Sequence, residues 1–257
     1  MSYFGTTEFM LRVAAGLVPG YSSINKFGHN PASAIGGADI WPPGGTYAFY
    51  PTTAQSMEIV SDSANDTSAG TGARTATVYG LDASWEEQSE EVTLNGTTPV
   101  ALANTYIRTF RTTIDTAGSI ETNDGAVTVR VSGGGTIGVH IASEDGQTQQ
   151  CIYTIPAGKT AFFIKGYTAI ADDDKNGEVA EFKWKMRPNV IADGAWQTKG
   201  QIGLNSIGSS NWQYEYGVPA GAIPEKTDIK IEAFSATAIV GVVAGFDLIL
   251  IENTLLP

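Results

Sequence analysis

One cysteine, two histidines and a shortage of charge set the first limits on this chain of 257 residues. Cys151 has no second cysteine to meet, so the fold must stand on packing and hydrogen bonds without an internal disulfide. It lies in the apolar run 151–155 and reads as a small buried strand residue, with no basic neighbour to favour a thiolate. Nucleophilic catalysis normally sets a histidine beside the nucleophile. Only His29 and His140 exist, each read as structural, and no GxSxG, HExxH or CxxC pattern accompanies them. Charged residues make up 16% of the chain, against a usual share of about 25%. They are also unbalanced, 27 acidic against 15 basic, for a net charge of −12. A surface of that sign repels phosphate, which argues against nucleic acid and against an anionic membrane surface as partners.

Long apolar runs are missing too. A membrane-spanning helix needs 18 or so apolar residues, and the longest candidate, 236–251, is interrupted by Thr237, two glycines and Asp247. Glu8 and Arg12 break the only apolar stretch near the N-terminus, so no secretory signal is expected and the chain reads as a soluble product of the cytoplasm. A sustained helical rhythm is absent after residue 20. One short helix is expected over 7–15, with Thr7 as its cap and Gly16 as its stop.

What the chain does have is turns and alternation. There are 30 glycines, and Thr, Ser and Asn recur throughout. Residues 1–44 are dense in breakers, including Pro19-Gly20, Gly36-Gly37 and Pro42-Pro43-Gly44-Gly45. They read either as an extended arm that lies on a neighbour or as an irregular start packed on its own domain. From Thr46 onward, period-two alternation predicts strands over 57–60, 74–81, 103–112, 161–164, 197–204, 212–216, 228–234 and 239–251. Asn95-Gly96, Asp145-Gly146 and Asn176-Gly177 supply the positive φ angles that hairpin turns require. The expected fold is therefore all-β, a jelly-roll-like antiparallel β-sandwich over 45–257 with an extended N-terminal arm over 1–44. The sandwich allows a division into 45–150 and 151–257.

Four patterns carry candidate chemistry. Gly133-Gly134-Gly135-Thr136-Ile137-Gly138 matches GxGxxG, but strand-like alternation follows it where a dinucleotide fingerprint needs a helix, so it reads as a glycine-rich hairpin. Asp172, Asp174 and Asn176, followed by Gly177, match the first half of a calcium loop; Lys183 stands where its closing glutamate belongs. A solvated turn and a weak Ca²⁺ site both remain open there. Glu86, Glu87, Glu90 and Glu91 read as charges along an exposed strand edge rather than paired glycosidase carboxylates. Trp212, Tyr214 and Tyr216 alternate onto one strand face, which suits either a core or, with Trp196, a sugar-stacking platform.

The succession Gly37-Ala38-Asp39-Ile40-Trp41-Pro42-Pro43-Gly44-Gly45, then Asp66-Thr67-Ser68-Ala69-Gly70-Thr71-Gly72-Ala73-Arg74, Gly80-Leu81-Asp82 and Ile114-Asp115-Thr116-Ala117-Gly118-Ser119 resembles virion structural proteins of tailed bacteriophages. The likeness is to the type that decorates or cements a capsid. Ile155-Pro156-Ala157-Gly158-Lys159-Thr160 and Ile223-Pro224-Glu225-Lys226-Thr227 are similar to segments in the second half of those proteins. The resemblance implies a jelly-roll-like fold, self-association (commonly threefold), binding to the major capsid protein, no enzymatic activity and a place on the capsid exterior. No catalytic residue or cofactor comes with it. In that setting the arm, with Phe9, Met10, Leu11 and Trp41 and continued by Tyr47, would bury its aromatic and aliphatic side chains against a neighbour. The rival readings are a tail, neck or baseplate component, a carbohydrate-binding jelly roll and a polysaccharide hydrolase.

Overall fold

The computed structural model describes residues 6–171, 178–190, 194–208, 210–215, 221–235 and 239–256. Among them are one α-helix, α1 (Thr6–Ala14), and sixteen strands. The strands are β1 (Tyr21–Ser33), β2 (Ala38–Asp39), β3 (Gln55–Ser61), β4 (Ala73–Leu81), β5 (Glu87–Thr93), β6 (Val100–Tyr106), β7 (Arg108–Ala117) and β8 (Val127–Val131). They continue as β9 (Ile137–Ile141), β10 (Ile152–Thr154), β11 (Lys159–Ile170), β12 (Val179–Pro188), β13 (Gln197–Asn205), β14 (Asn211–Glu215), β15 (Thr227–Ser235) and β16 (Val240–Glu252).

These strands make four sheets, and every ladder is antiparallel. The sheets β6-β3-β8-β9 and β5-β4-β7 form a first sandwich, closed around Met57, Ile59, Val78, Val129 and Ile141. The sheets β1-β16-β11-β14 and β10-β15-β12-β13, with β2 beside β15, form a second, closed around Phe182, Ile229, Ile231, Phe246 and Leu248. Each large apolar side chain buried in these cores stabilises its sandwich by about 1.5–3 kcal/mol. The all-β antiparallel sandwich architecture expected from the alternation is present, built twice.

The chain starts in the second sandwich, leaves it after β2, builds the first, and returns at β10. The two crossings run side by side: Cys151 N donates to Ile40 O at 2.9 Å, and Ile40 N donates to Ile231 O at 3.3 Å. Alternation splits their side chains between the cores. Ile40, Cys151 and Tyr153 enter the second core, Trp41 and Ile152 the first. The division at 150/151 thus falls close to the return crossing, but residues 21–40 belong to the sheets and core of the second sandwich.

The stretch expected to be an extended arm therefore contains a thirteen-residue strand, β1, paired with β16 from Tyr21↔Ile251 to Ser33↔Val240. It hides from pattern reading because its buried positions are Lys26, Gly28, Asn30 and Ser33, none of them apolar in the usual sense. Helix α1 is present and the chain leaves it through Gly16 at φ 69°, while its start lies one residue ahead of Thr7, the expected cap. The single strand expected over 103–112 is two, broken at Ile107 so that β6 and β7 join different sheets. Asn95-Gly96 and Asp145-Gly146 likewise link strands of different sheets, not hairpin partners, and the strands on either side of Asn176-Gly177, β11 and β12, also lie in different sheets.

Gly28 sits where β1 meets both crossings, and a Cβ there would approach Cys151 N and Ile40 O to 2.5 Å. Gly28→Ala is expected to lower stability by about 1–3 kcal/mol in denaturant titration, the usual cost of overpacking against backbone. Gly203→Ala on β13, where a Cβ meets nothing within 4 Å, leaves the midpoint unchanged or raised.

Candidate functional site

The two sandwiches are clamped by one buried carboxylate. Asp228 on β15 is fully buried, and Arg108, the first residue of β7, is 3% exposed. Arg108 Nε donates to Asp228 Oδ1 at 2.8 Å and its Nη2 to Oδ2 at 3.1 Å, a two-pronged pair across the junction. Arg187 Nη2, Asn189 Nδ2 and Thr154 Oγ1 add donors at 2.6, 2.8 and 2.6 Å. Burial alone would raise the Asp228 pKa, but the hydrogen bonds and charge of Arg108, with Thr154 and Arg187, outweigh it and hold the carboxyl below its ordinary 3.8. Aromatic rings cover the guanidiniums: Arg108 lies 4.7 Å from the Trp85 ring centre and 5.2 Å from Tyr50, and Arg187 lies 4.4 Å from Tyr50 and 4.8 Å from Trp196. Trp85 reaches its position from a left-handed backbone, φ 67°, and its carbonyl accepts from Ala157 N of the other sandwich at 2.8 Å. Every oxygen of Asp228 is occupied, so the cluster has no free base or nucleophile to offer. It is a fastening.

Beside it, the Lys230 ammonium pairs with Asp39 at 2.9 Å and Glu232 at 2.7 Å. Asp39 Oδ2 accepts from Tyr47 N at 2.7 Å, which turns the Tyr47 ring into the first core against Trp41. Trp41 and Tyr47 were expected to anchor a neighbour; at 6% and 2% exposure both are spent inside their own chain. The other residues of that set lie on α1. Val13 is buried and Phe9 packs edge-on to Tyr21 with centres 5.5 Å apart, Met10 is half-buried, and Leu11 stands 66% exposed.

Of two cavities, one lies at the junction. A cleft of about 470 Å³ opens between the sandwiches, lined by Ile24 and Lys26 of β1, Tyr79 of β4, Glu87 of β5, Phe110 and Arg111 of β7, and Tyr153. Lys26 is 2% exposed and its Nζ donates to Phe110 O. Burial, helped by the nearby Arg111 charge, lowers its pKa to about 7. The second cavity, about 270 Å³, lies at the open end of the second sandwich between Trp184, Trp212, Phe163, Met186 and Ile202. Gly166 and Gly200 line that space without a side chain to fill it.

The remaining sequence candidates fall as follows. Asp172, Asp174 and Asn176 lie outside the described residues, as does Tyr216. The glycine-rich loop joins the paired strands β8 and β9 as a hairpin, and its amides are already taken: Gly133 N and Gly134 N donate to the Glu58 carboxylate at 3.0 and 3.1 Å. Glu87, Glu90 and Glu91 lie on β5, an edge strand, where Glu90 also reaches across to β6 and accepts from Ala103 N and Tyr106 Oη. His140 is half-buried, which lowers its pKa, and meets only Thr128 among hydrogen-bond partners of the described residues. Trp196 is sandwiched by Tyr50, Arg187 and Lys230, so it belongs to the clamp and not to the Trp212–Tyr214 pair, whose rings stack at 5.8 Å. The clamp itself carries no local sequence signal, since Arg108 and Asp228 are 120 residues apart.

No protein-family model matches this chain, and no curated protein matches it. Solved structures of infectious bursal disease virus are similar to it at a low level. The Gx strain gives 10% identity and a TM-score of 0.25 over 92% of this chain and 73% of that one. The VP2 subviral particle gives 11% and 0.22 over 90% and 76%, and the T13 viral particle 13% and 0.21 over 92% and 70%. At these TM-scores the likeness carries no argument about this chain.

Removing one partner of the clamp strands the other. Arg108→Met is expected to cost about 3–5 kcal/mol in denaturant unfolding, far more than an exposed ion pair would. Because Asp228 has a folded pKa below its unfolded value, its contribution is complete above the ordinary 3.8 and drains away as pH falls through the lower folded value. Acid titration of stability should therefore be steeper in the wild type than in Asp228→Asn below about that pH.

Proposed function

We propose that this chain is a non-enzymatic structural protein of a tailed-bacteriophage virion that decorates and stabilises the capsid by binding the major capsid protein from outside, as a homo-oligomer, commonly a trimer. The observation that carries the reading is apolar side chains held in solvent on and just after a helix packed beside β1: Leu11 is 66%, Leu17 63% and Phe9 37% exposed, while Val13 of α1 is buried. Exposed apolar side chains grouped on an anchored element are suited to a protein partner. The succession of segments resembling phage decoration proteins supports the particle setting, and a doubly built, internally clamped sandwich suits a part that must hold shape without turnover. The same surface would serve at a tail or neck, and copy number on the particle separates the two placements.

A second reading rests on Trp212 and Tyr214, which stack with an interplanar angle of 7°, Tyr214 being 43% exposed. Such a platform suits a sugar ring, and glycan-array binding lost in Trp212→Ala would favour it over the capsid role.

The adhesive test must spare β1, because removing residues 1–44 would take a sheet strand with it. The double variant Leu11→Asp, Leu17→Asp, measured by co-sedimentation with particles stripped of the protein, is expected to lose occupancy by about tenfold or more while its unfolding midpoint stays put, both side chains being exposed. Wild-type occupancy by the double variant would remove α1 from the contact.

A further inference from the structure

The cleft between the sandwiches holds two cations that no acid answers. Lys26 Nζ donates to Phe110 O and Arg111 Nη2 donates to Asn25 O at 2.6 Å; among the described residues neither forms an ion pair. In a chain with 27 acidic residues and a net charge of −12 this is not for want of carboxylates. Of the other buried cations of the junction, Arg108 meets one and Lys230 two. A third donor faces the same space: the Tyr153 hydroxyl, on a residue 1% exposed, makes no close hydrogen bond and has the Glu87 carboxylate as its nearest charged acceptor. A buried hydroxyl left unmatched costs about 1–3 kcal/mol and is rare in folded proteins. Ile24 and the Phe110 ring, edge-on to Tyr153 at 4.9 Å, give the cleft an apolar wall.

We propose that this cleft binds a small molecule bearing one carboxylate on an apolar body, the carboxylate meeting Lys26, Arg111 and the Tyr153 hydroxyl and the body lying against Phe110 and Ile24. The volume, about 470 Å³, is in the range of small-molecule sites. Specificity for a single negative charge follows from Glu87, which lines the same cleft while paired to Lys159: a second charge on the ligand would face it. The proposal is independent of the particle reading, since it concerns the junction and not α1.

Binding should carry a proton signature. The groups facing Lys26 are Arg111, Cys151, Glu87, Tyr79 and Tyr153, and burial pushes Cys151 and Tyr153 upward so that both keep their protons near neutrality. With its pKa lowered to about 7, Lys26 is mostly neutral above that pH, and an arriving carboxylate favours the charged form. Affinity should then fall as pH rises past about 7, with proton uptake on binding.

The test is calorimetric titration of the full chain with benzoate, in two buffers of different ionisation enthalpy, with benzamide and inorganic phosphate as comparison ligands. The expected result is saturable benzoate binding with proton uptake, weaker by about tenfold or more for benzamide and for phosphate. Lys26→Met and Arg111→Gln should each lose about tenfold in benzoate affinity, and Tyr153→Phe a smaller factor. Should Lys26→Met fail to fold, Arg111→Gln, altered at a half-buried site, still decides the matter. No saturable benzoate heat, equal affinity for benzamide, tighter binding of phosphate, or unchanged affinity in Arg111→Gln would each overturn the proposal.

Discussion

A carboxylate sealed from water must have its charge met from within the protein, and Asp228 draws that compensation from both halves of the molecule. Arg108 comes from the first strand residue after the sheet switch at Ile107; Arg187, Thr154 and Asn189 come from the second sandwich. The pair is not a simple source of stability, since well-packed apolar residues of similar volume often do as well in such a place. What it supplies is geometry. A two-pronged guanidinium between two aromatic rings tolerates little rotation, so the sandwiches are held in one relative pose. The left-handed backbone of Trp85 fits this view, as strain of that kind persists where surrounding contacts over-determine it.

The distribution of charge follows from the same constraint. Arg108, Arg187, Lys230, Lys26 and Arg111, five of the 15 basic residues, gather at the junction. Asp39, Asp228 and Glu232 are drawn in with them, so the junction meets most of its own charge from within. The same gathering explains why β1 escaped detection. Its inward face carries Lys26 and Asn30 because it borders a polar seam, where Lys26 meets Phe110 O and Asn30 Nδ2 donates to Asp39 O at 3.0 Å. Period-two reading assumes the buried side is the apolar side, and here it is not.

Strands lying wholly within one core were legible for the opposite reason. Val127–Val131 and Val240–Glu252 alternate or run apolar because a single hydrophobic interior sets their pattern. Turn dipeptides were legible as reversals but silent on destination: Gly96 has the positive φ its sequence calls for, at 60°, yet the strands around it part to different sheets. Partner identity over long separations was invisible altogether. The amides of Gly133 and Gly134 are aimed at an anion, as a glycine-rich loop promises, but the anion is Glu58, some seventy-five residues away. Trp41 and Tyr47 looked like anchors for a neighbour because aromatic residues in a breaker-rich stretch lack visible partners, and their partners are each other and the first core.

Topology limits where the molecule can be adhesive. The chain crosses between the sandwiches twice, the crossings are hydrogen-bonded to one another through Ile40 and Cys151, and the alternate side chains are divided between two cores. A hinge at that place would have to open both cores together and unseat Asp228. Binding energy applied to one sandwich is therefore transmitted to the other as a rigid displacement, and neither half can be peeled away to offer its inner face. What lies outside this frame includes α1 with Leu11, Leu17 just beyond it, and edge strands such as β5, β13 and β14. Of these, α1 is amphipathic, holding Leu11 outward while the buried Val13 and the edge of Phe9 against Tyr21 keep it beside β1. The clamp makes the body stiff, so what it presents to its surroundings is set by the fixed placement of these outer surfaces.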